Sequence, residues 1–534
     1  MGIEHDATQK ERDTLLARLK NYNLVILQVN KTSAKPDKNF GCSDGSIDLI
    51  SKINKQNKTI TCLFTNPYLI NKLQDLAKAN SVLELYEFSG FNQRAAADAI
   101  MGAIPVNGSL PVSTNLFKLG TCVTLKNTIR LQYVEPQRVG ANAVKLQQVD
   151  SIAMSGIKQK AYPGCQVIAI KNGKVFYSKN FGRLTYDVAS DRVTDQTIYD
   201  LASLTKILAT SLALMKLTEQ KQFDYNQTLG YYLPEFKETN KGDLSYKDIL
   251  THQSGMQAFL PLWLKTQDKA NNYRPGFYST AKTDVYPTQV AKNLYIVNGY
   301  TDTIYKQLAA SKLETKGKYV YSDMGYYFSK KIIENKTGQP LNTYVQQTFY
   351  KPLNIGLTYL PLNVYPISLI APTENDTKFR KQLLRGYVHD QGAALLGGVA
   401  GHAGLFGNAT DVAVVMQMLL NNGTYAGQNI LNADVIKQYT SSQFLDNRRG
   451  LCFDKPEFDD KKDSPVTGEC SLASYGHSGF TGTFAWADPE NGLIFVFLSN
   501  RVYPDADENK LAKLGIRGKI HKTLYDAFKI SMPL

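Results

Sequence analysis

Apolar positions along this chain follow one rhythm up to about residue 135 and another beyond it. In the first stretch, Leu24-Val25-Ile26-Leu27-Gln28-Val29 and Thr59-Ile60-Thr61-Cys62-Leu63-Phe64 read as buried strands, with helical patterns such as Asn92 to Met101 following or intervening. That alternation predicts an α/β sandwich with a mostly parallel sheet. Periodicity weakens around Glu135-Pro136-Gln137 and resumes as an amphipathic helix from about Asn142 to Lys160, which puts a domain boundary here and gives units 1–138 and 139–534.

The second unit begins with a hairpin. Val167-Ile168-Ala169-Ile170 and Val175-Phe176-Tyr177 flank Asn172-Gly173, a type I′ turn signal. A second hairpin lies near the end, where Gly482 to Trp486 and Leu493 to Phe497 are joined through Asp488-Pro489-Glu490-Asn491-Gly492. Helices and long loops fill the space between, including an aromatic, polar insertion from about Met256 to Tyr305. The expected second fold is therefore α+β: an antiparallel sheet assembled from distant segments, flanked by helices, with a helical subdomain inserted. No internal repeat is visible.

One apolar run changes the picture from architecture to chemistry. Ile207 to Met215 follows directly on Ser203-Leu204-Thr205-Lys206, which places a serine at a buried helix start and a lysine one turn on, along the same face. The spacing S-x-x-K also occurs at Ser155/Lys158 and Ser279/Lys282, but the first lies late in an ordinary amphipathic pattern and the second in a stretch without helical period. Burial around Lys206 is expected to favour its neutral, basic form, and the helix dipole to favour negative charge near Ser203. Taken alone, Ser203 reads equally as a nucleophile or as a plain N-cap serine.

Composition narrows the class. A chain of 534 residues exceeds one ordinary core, and no run of about 18 apolar residues is present to span a membrane. The net charge of +14 comes mostly from scattered lysines without interleaved aromatics, so it reads as a solvated surface rather than a nucleic-acid footprint. The six cysteines form no C-x-x-C pair and the histidines show no ligand spacing, so neither a metal nor another cofactor is expected. Cys452 and Cys470 flank a charged, Gly/Pro-containing segment and are a candidate bridge. His252, His389 and His402 lie in Gly- or Ser-containing turns and read as structural. Met1-Gly2-Ile3-Glu4-His5 lacks a basic and apolar signal region, and the abrupt start reads as that of a fragment of a longer polypeptide.

Catalysis by Ser203 and Lys206 requires a further proton-transfer group and an oxyanion hole. Tyr321-Ser322-Asp323 at a helix start and the glycine-flanked strand Gly476-His477-Ser478-Gly479-Phe480-Thr481-Gly482-Thr483 supply candidates. Together the three segments resemble the ordered set S-x-x-K, Y-x-N or S-x-N, and K-T-G of the serine β-lactamases and penicillin-binding proteins. Leu250-Thr251-His252-Gln253-Ser254-Gly255 and Gly397 to Phe406 resemble further landmarks of the class C β-lactamase and esterase-like branch. The resemblance covers roughly residues 140 to 530. It implies an acyl-enzyme on Ser203, proton transfer by Lys206 and Tyr321, and an oxyanion hole from the backbone N–H groups of Ser203 and Phe480. It places His477 in the catalytic set and Asp323, Ser478 and Gly479 against the substrate. Two departures matter. Asp323 replaces an asparagine and is available to pair with Lys206, and His477 replaces a lysine, exchanging a fixed cation for a group mostly neutral at pH 7. Both favour an esterase, an amidase or a D-amino-acid peptidase over a β-lactamase.

The first unit brings a second resemblance. Asn66-Pro67-Tyr68, Ala95 to Gly102 and Gly108-Ser109-Leu110-Pro111-Val112-Ser113 are similar to the C-terminal α/β domain of family 3 glycoside hydrolases of the β-N-acetylglucosaminidase type. The catalytic barrel of that family is not among these residues. The pair of resemblances implies a glycosidase barrel joined to a serine hydrolase in the parent chain, a bacterial periplasmic or cell-envelope location, and a muropeptide or other small peptide as partner, in peptidoglycan turnover. Alternatives are a non-hydrolytic muropeptide- or penicillin-binding module, a true β-lactamase, or a scaffold.

Overall fold

The computed structural model describes residues 1–125, 130–445, 447–457 and 464–529, and the chain divides into two compact units, Met1–Gln132 and Tyr133–Leu534. In the first unit the strands Val25–Val29, Thr59–Leu63 and Ser81–Glu84 form a parallel sheet in that order. Helices Gln9–Leu19, Asp44–Gln56 and Gly90–Ile100 accompany them. Thr8 caps the first helix in a capping box with Glu11, and Ser43 and Ser89 cap the other two. The core gathers Val29, Ile50, Leu63, Leu69, Ile70 and Leu73.

The second unit is built on an antiparallel sheet. Its strands run in the order Tyr475–Ser478, Phe484–Asp488, Leu493–Ser499, Gly164–Lys171 and Lys174–Gly182, with a short edge segment at Tyr133. Asn172 and Gly173 turn the first hairpin with φ of 51° and 77°, the pair of positive values a type I′ turn needs. Leu493–Ser499 lies between both hairpins and is buried along its whole length, because helices cover both sheet faces. Helices Ala143–Lys158 and Ile516–Asp526 close one face, where Leu146, Val149, Ile520 and Leu524 meet Phe176, Phe484, Trp486 and Phe497. The very apolar helix Ala409–Leu420 lies along the strands on the other.

Between the hairpins lies the helical subdomain, in which Met324–Thr337 packs on Ser211–Glu219. The insertion carries its own small antiparallel sheet of Tyr278–Ser279, Leu294–Ile296 and Thr288–Ala291. The candidate bridge between Cys452 and Cys470 is not formed; all six cysteines are free thiols. Cys452 is buried beside Tyr326 and Ser211, whereas Cys470 lies against His521 and Tyr525, so the two sulfurs sit in different neighbourhoods.

Candidate active site

The turn that carries Ser203 is held before the helix begins. The Asp200 carboxylate, almost wholly buried, accepts the N–H of Ala202 at 2.9 Å and that of His389 at 2.7 Å. Ala202 itself has φ of 47°, a left-handed conformation that alanine adopts only under constraint. Ser203 follows in the turn, and the helix starts at Leu204. It runs as a π-helical segment over Lys206–Thr210 and continues as α-helix over Ser211–Glu219. Wide turns of this kind concentrate at functional sites.

Three polar side chains converge on this turn. Lys206 Nζ donates to Ser203 Oγ at 2.9 Å, and Tyr321 Oη donates to the same oxygen at 3.0 Å. Lys206 Nζ also pairs with Asp323 Oδ1 at 2.6 Å and donates to the His402 carbonyl at 3.3 Å. Three oxygens therefore lie within 3.3 Å of the ammonium. The Lys206 side chain is 0% exposed and the Asp323 side chain 24%. Burial pulls the lysine toward its neutral form, but Asp323 and then Tyr321 outweigh it, and the pKa is raised. The expectation of a neutral Lys206 is thus corrected: its carboxylate neighbour holds the proton on. Burial likewise raises the Tyr321 hydroxyl, against the opposing pull of Lys206, so it stays a phenol and acts as a donor.

The facing wall is the edge strand Tyr475–Ser478 and the loop after it. Thr481 Oγ1 donates to the Asp200 carbonyl at 2.7 Å and Thr483 Oγ1 to the Leu201 carbonyl at 2.9 Å, which straps the loop to the nucleophile turn. Gly479 has to be glycine here, because a Cβ would stand 2.7 Å from the Leu201 carbonyl oxygen. The backbone N–H groups of Ser203 and Phe480 meet no acceptor among the described residues. Arg501 Nε holds the Phe480 carbonyl at 2.7 Å and its guanidinium lies 4.3 Å from the Phe480 ring centre, while Arg517 holds the Thr483 carbonyl at 3.1 Å. The ring of Phe480 is exposed, and His389 stacks on it.

His477 is buried, and its Nδ1 donates to the Ser478 carbonyl at 2.6 Å, which leaves Nε2 as a lone-pair acceptor. Burial pushes its pKa down to about 4, with Asp454 opposing and Arg449 and Lys206 reinforcing. Arg449 is itself taken up by Asp454 and the Cys452 carbonyl.

The three histidines read as structural all abut this site. His252 lies 4.6 Å from the Tyr321 ring and accepts the Ser322 N–H at 3.1 Å; burial keeps it neutral. His402 gives its carbonyl to Lys206 and its ring to Asp390 at 2.8 Å. Sequence reasoning missed Asp200, Asp390 and Arg501 altogether. Only the segments Leu250 to Gly255 and Gly397 to Phe406 offered a signal for the histidines, by their resemblance. Among the described residues, no cluster of three or more His, Cys, Asp or Glu is placed to hold a metal ion.

An antiparallel sheet with a helical subdomain and a serine touched by a lysine and a tyrosine defines a β-lactamase-type serine hydrolase. The model of the Beta-lactamase family matches residues 147–517, and the chain belongs to that family. A protein of Escherichia coli (strain K12) named "Putative D-alanyl-D-alanine carboxypeptidase" is 31% identical over 421 residues, covering 73% of this chain and 90% of that protein. An N-acetylmuramyl-L-alanine amidase of Bacillus subtilis (strain 168) is 29% identical over 442 residues, covering 76% and 94%. A class C β-lactamase of solved structure superposes with a TM-score of 0.52 at 16% identity, covering 72% of this chain and 98% of its own, a likeness of fold.

Proposed function

We propose that this hydrolase opens an amide bond in a peptidoglycan-derived peptide through an acyl-enzyme on Ser203. The observation that carries the reading is the convergence of Lys206 Nζ and Tyr321 Oη on Ser203 Oγ, at 2.9 and 3.0 Å. Lys206 and Tyr321 move the proton, the free N–H groups of Ser203 and Phe480 stabilise the oxyanion, and Ser478 and Gly479 line the acyl side. The names of the two relatives support a cell-wall substrate and an envelope location.

The chemistry of His477 favours one of the two named bonds. A carboxypeptidase releases a residue bearing a free carboxylate, which calls for a cation beside the scissile bond. His477 is neutral at pH 7 and presents a lone pair, and Arg449 is consumed by Asp454. A lone pair suits an N–H or O–H on the substrate, so an internal amide such as that of a muramyl peptide fits better. The resemblance of the first unit to a glycosidase domain supports a parent chain that also carries a glycosidase barrel.

The test is a fluorophosphonate label followed by a substrate panel of nitrocefin, p-nitrophenyl esters, D-Ala-D-Ala peptides and a muramyl-L-alanyl peptide, on wild type and Ser203→Ala. The expected result is labelling of wild type alone, with turnover highest on the muramyl amide. Equal labelling of both proteins removes Ser203 from the role. Turnover highest on D-Ala-D-Ala returns the carboxypeptidase reading.

A further inference from the structure

The resting arrangement around Lys206 poses a problem that its own neighbours resolve. A lysine that is to take the proton of Ser203 must have room for it. Here the ammonium already donates to Ser203 Oγ and the His402 carbonyl, at 2.9 and 3.3 Å, and is ion-paired with Asp323 Oδ1 at 2.6 Å. Tyr321 is a phenol whose hydroxyl donates to the same serine oxygen, so its part lies in returning the proton and not in its first removal. Of the acceptors around the ammonium, only Asp323 is an anion that can take a proton. The His402 carbonyl is a backbone group, and Ser203 is the donor to be relieved.

We infer that Asp323 is the proton acceptor of the acylation step, taking a hydrogen from Lys206 Nζ as Lys206 takes the hydroxyl hydrogen of Ser203. This rests on Ser203 being the nucleophile. As the bond from Ser203 Oγ to the substrate's electrophilic atom forms, the π pair of that centre moves to the oxygen facing the N–H groups of Ser203 and Phe480. Lys206 ends as it began, an ammonium, and Asp323 ends as a neutral acid. A cation, a carboxylate and two neutral groups become a cation, an oxyanion and two neutral groups, so the net charge of the cluster does not change. When the intermediate collapses the proton returns through Lys206 and Tyr321 to the leaving nitrogen, and Asp323 is a carboxylate again. With asparagine at this position the lysine would have to start neutral.

The other groups facing this pair leave the relay where it is. Tyr326 and Tyr321 present ring faces to the ammonium, each 5.1 Å away. His252, His477 and Arg449 act on the site from the other side, the two histidines neutral and the arginine taken by Asp454. Tyr327, Asp390 and His402 share a small cavity with Asp323, where Asp390 and His402 bind each other. The raised pKa of Lys206, owed first among the raising causes to Asp323, agrees with a pair that is charged at rest.

The test is the pH dependence of Ser203 labelling by a fluorophosphonate in wild type and Asp323→Asn, on folded protein and without any assumption about the natural substrate. Wild type is expected to be flat across neutral pH. Asp323→Asn removes the main cause that opposes burial at Lys206, so the lysine loses its proton more readily and labelling requires the free amine. Its rate is expected to match wild type at high pH and to fall about tenfold per pH unit below the new pKa. Superimposable profiles overturn the relay. A wild type that itself falls through neutrality while Asp323→Asn stays flat overturns it too. If Asp323→Asn does not fold, the solvent-isotope proton inventory of wild-type labelling decides: two protons in flight give a bowed plot, and a straight line overturns the proposal. Failure of wild type to label at Ser203 would overturn the nucleophile assignment, and the relay with it.

Discussion

Asp200 holds Ala202 in place through one 2.9 Å hydrogen bond, and that bond keeps a left-handed alanine immediately before the reactive serine. The same carboxylate reaches the His389 N–H at 2.7 Å, and the Asp200 carbonyl receives Thr481 from the facing loop. One buried residue therefore ties the nucleophile turn to both of its neighbours. Asp200→Ala leaves two buried backbone donors without partners and should cost about 1–3 kcal/mol. It should also slow Ser203 labelling, because the strained turn loses its tether. Urea denaturation and labelling rate check both effects, and an unchanged midpoint would refute the tethering role.

Tyr321→Phe removes only the hydroxyl that donates to Ser203 Oγ. The ring contact with His252 at 4.6 Å survives, so the thermal midpoint should move little. Acylation should fall by roughly 10²- to 10⁴-fold, the range of a positioned proton-transfer group. A loss below tenfold would shift that work to Lys206 alone.

Acid stability follows from the buried histidines. His477 and His521 are pushed down by burial to about 4 and about 3, and His252 well below the ordinary range. The unfolded chain binds protons at these rings from about pH 6.5 downward while the folded chain does not, so stability is complete above that pH and declines as pH falls toward 4. For His477 the full effect is ~3 kcal/mol. Urea midpoints should therefore drop steadily from pH 7 to pH 4, and His477→Asn should flatten part of that slope. A midpoint independent of pH over this interval would contradict the burial of the three rings.

Arg501 fixes the Phe480 carbonyl at 2.7 Å and lies over its ring. Arg501→Met removes the donor and should let the Phe480 N–H wander. Turnover should fall by roughly tenfold or more, below the 10²- to 10³-fold of a deleted oxyanion donor, with a small change in KM. Steady-state kinetics separate the two constants. A KM effect with unchanged kcat would instead make Arg501 a substrate contact.

Local patterns foretold what local chemistry controls. The Asn172-Gly173 turn, the two hairpins and the parallel strands of the first unit all lie where period and turn residues place them. The trio around Ser203 was readable because each member sits in a short segment of unusual composition. Asp200 and Arg501 were not, since their partners His389 and Phe480 stand far off in the chain and nothing local marks them. The charge on Lys206 failed for a related reason. Burial is visible in an apolar run, but the strength of an ion pair depends on a distance that folding alone sets.

The central strand Leu493–Ser499 joins two hairpins, pairing Leu493 with Lys171 and Asp488. During synthesis the ribosome therefore releases Ser203 and Lys206 long before the strand that completes the sheet, and the first hairpin waits with an open edge while the helical subdomain emerges. The loop that carries Phe480 belongs to that late portion as well. A nascent chain of this enzyme thus carries Ser203 early and completes the sheet beside it only when translation has passed the second hairpin.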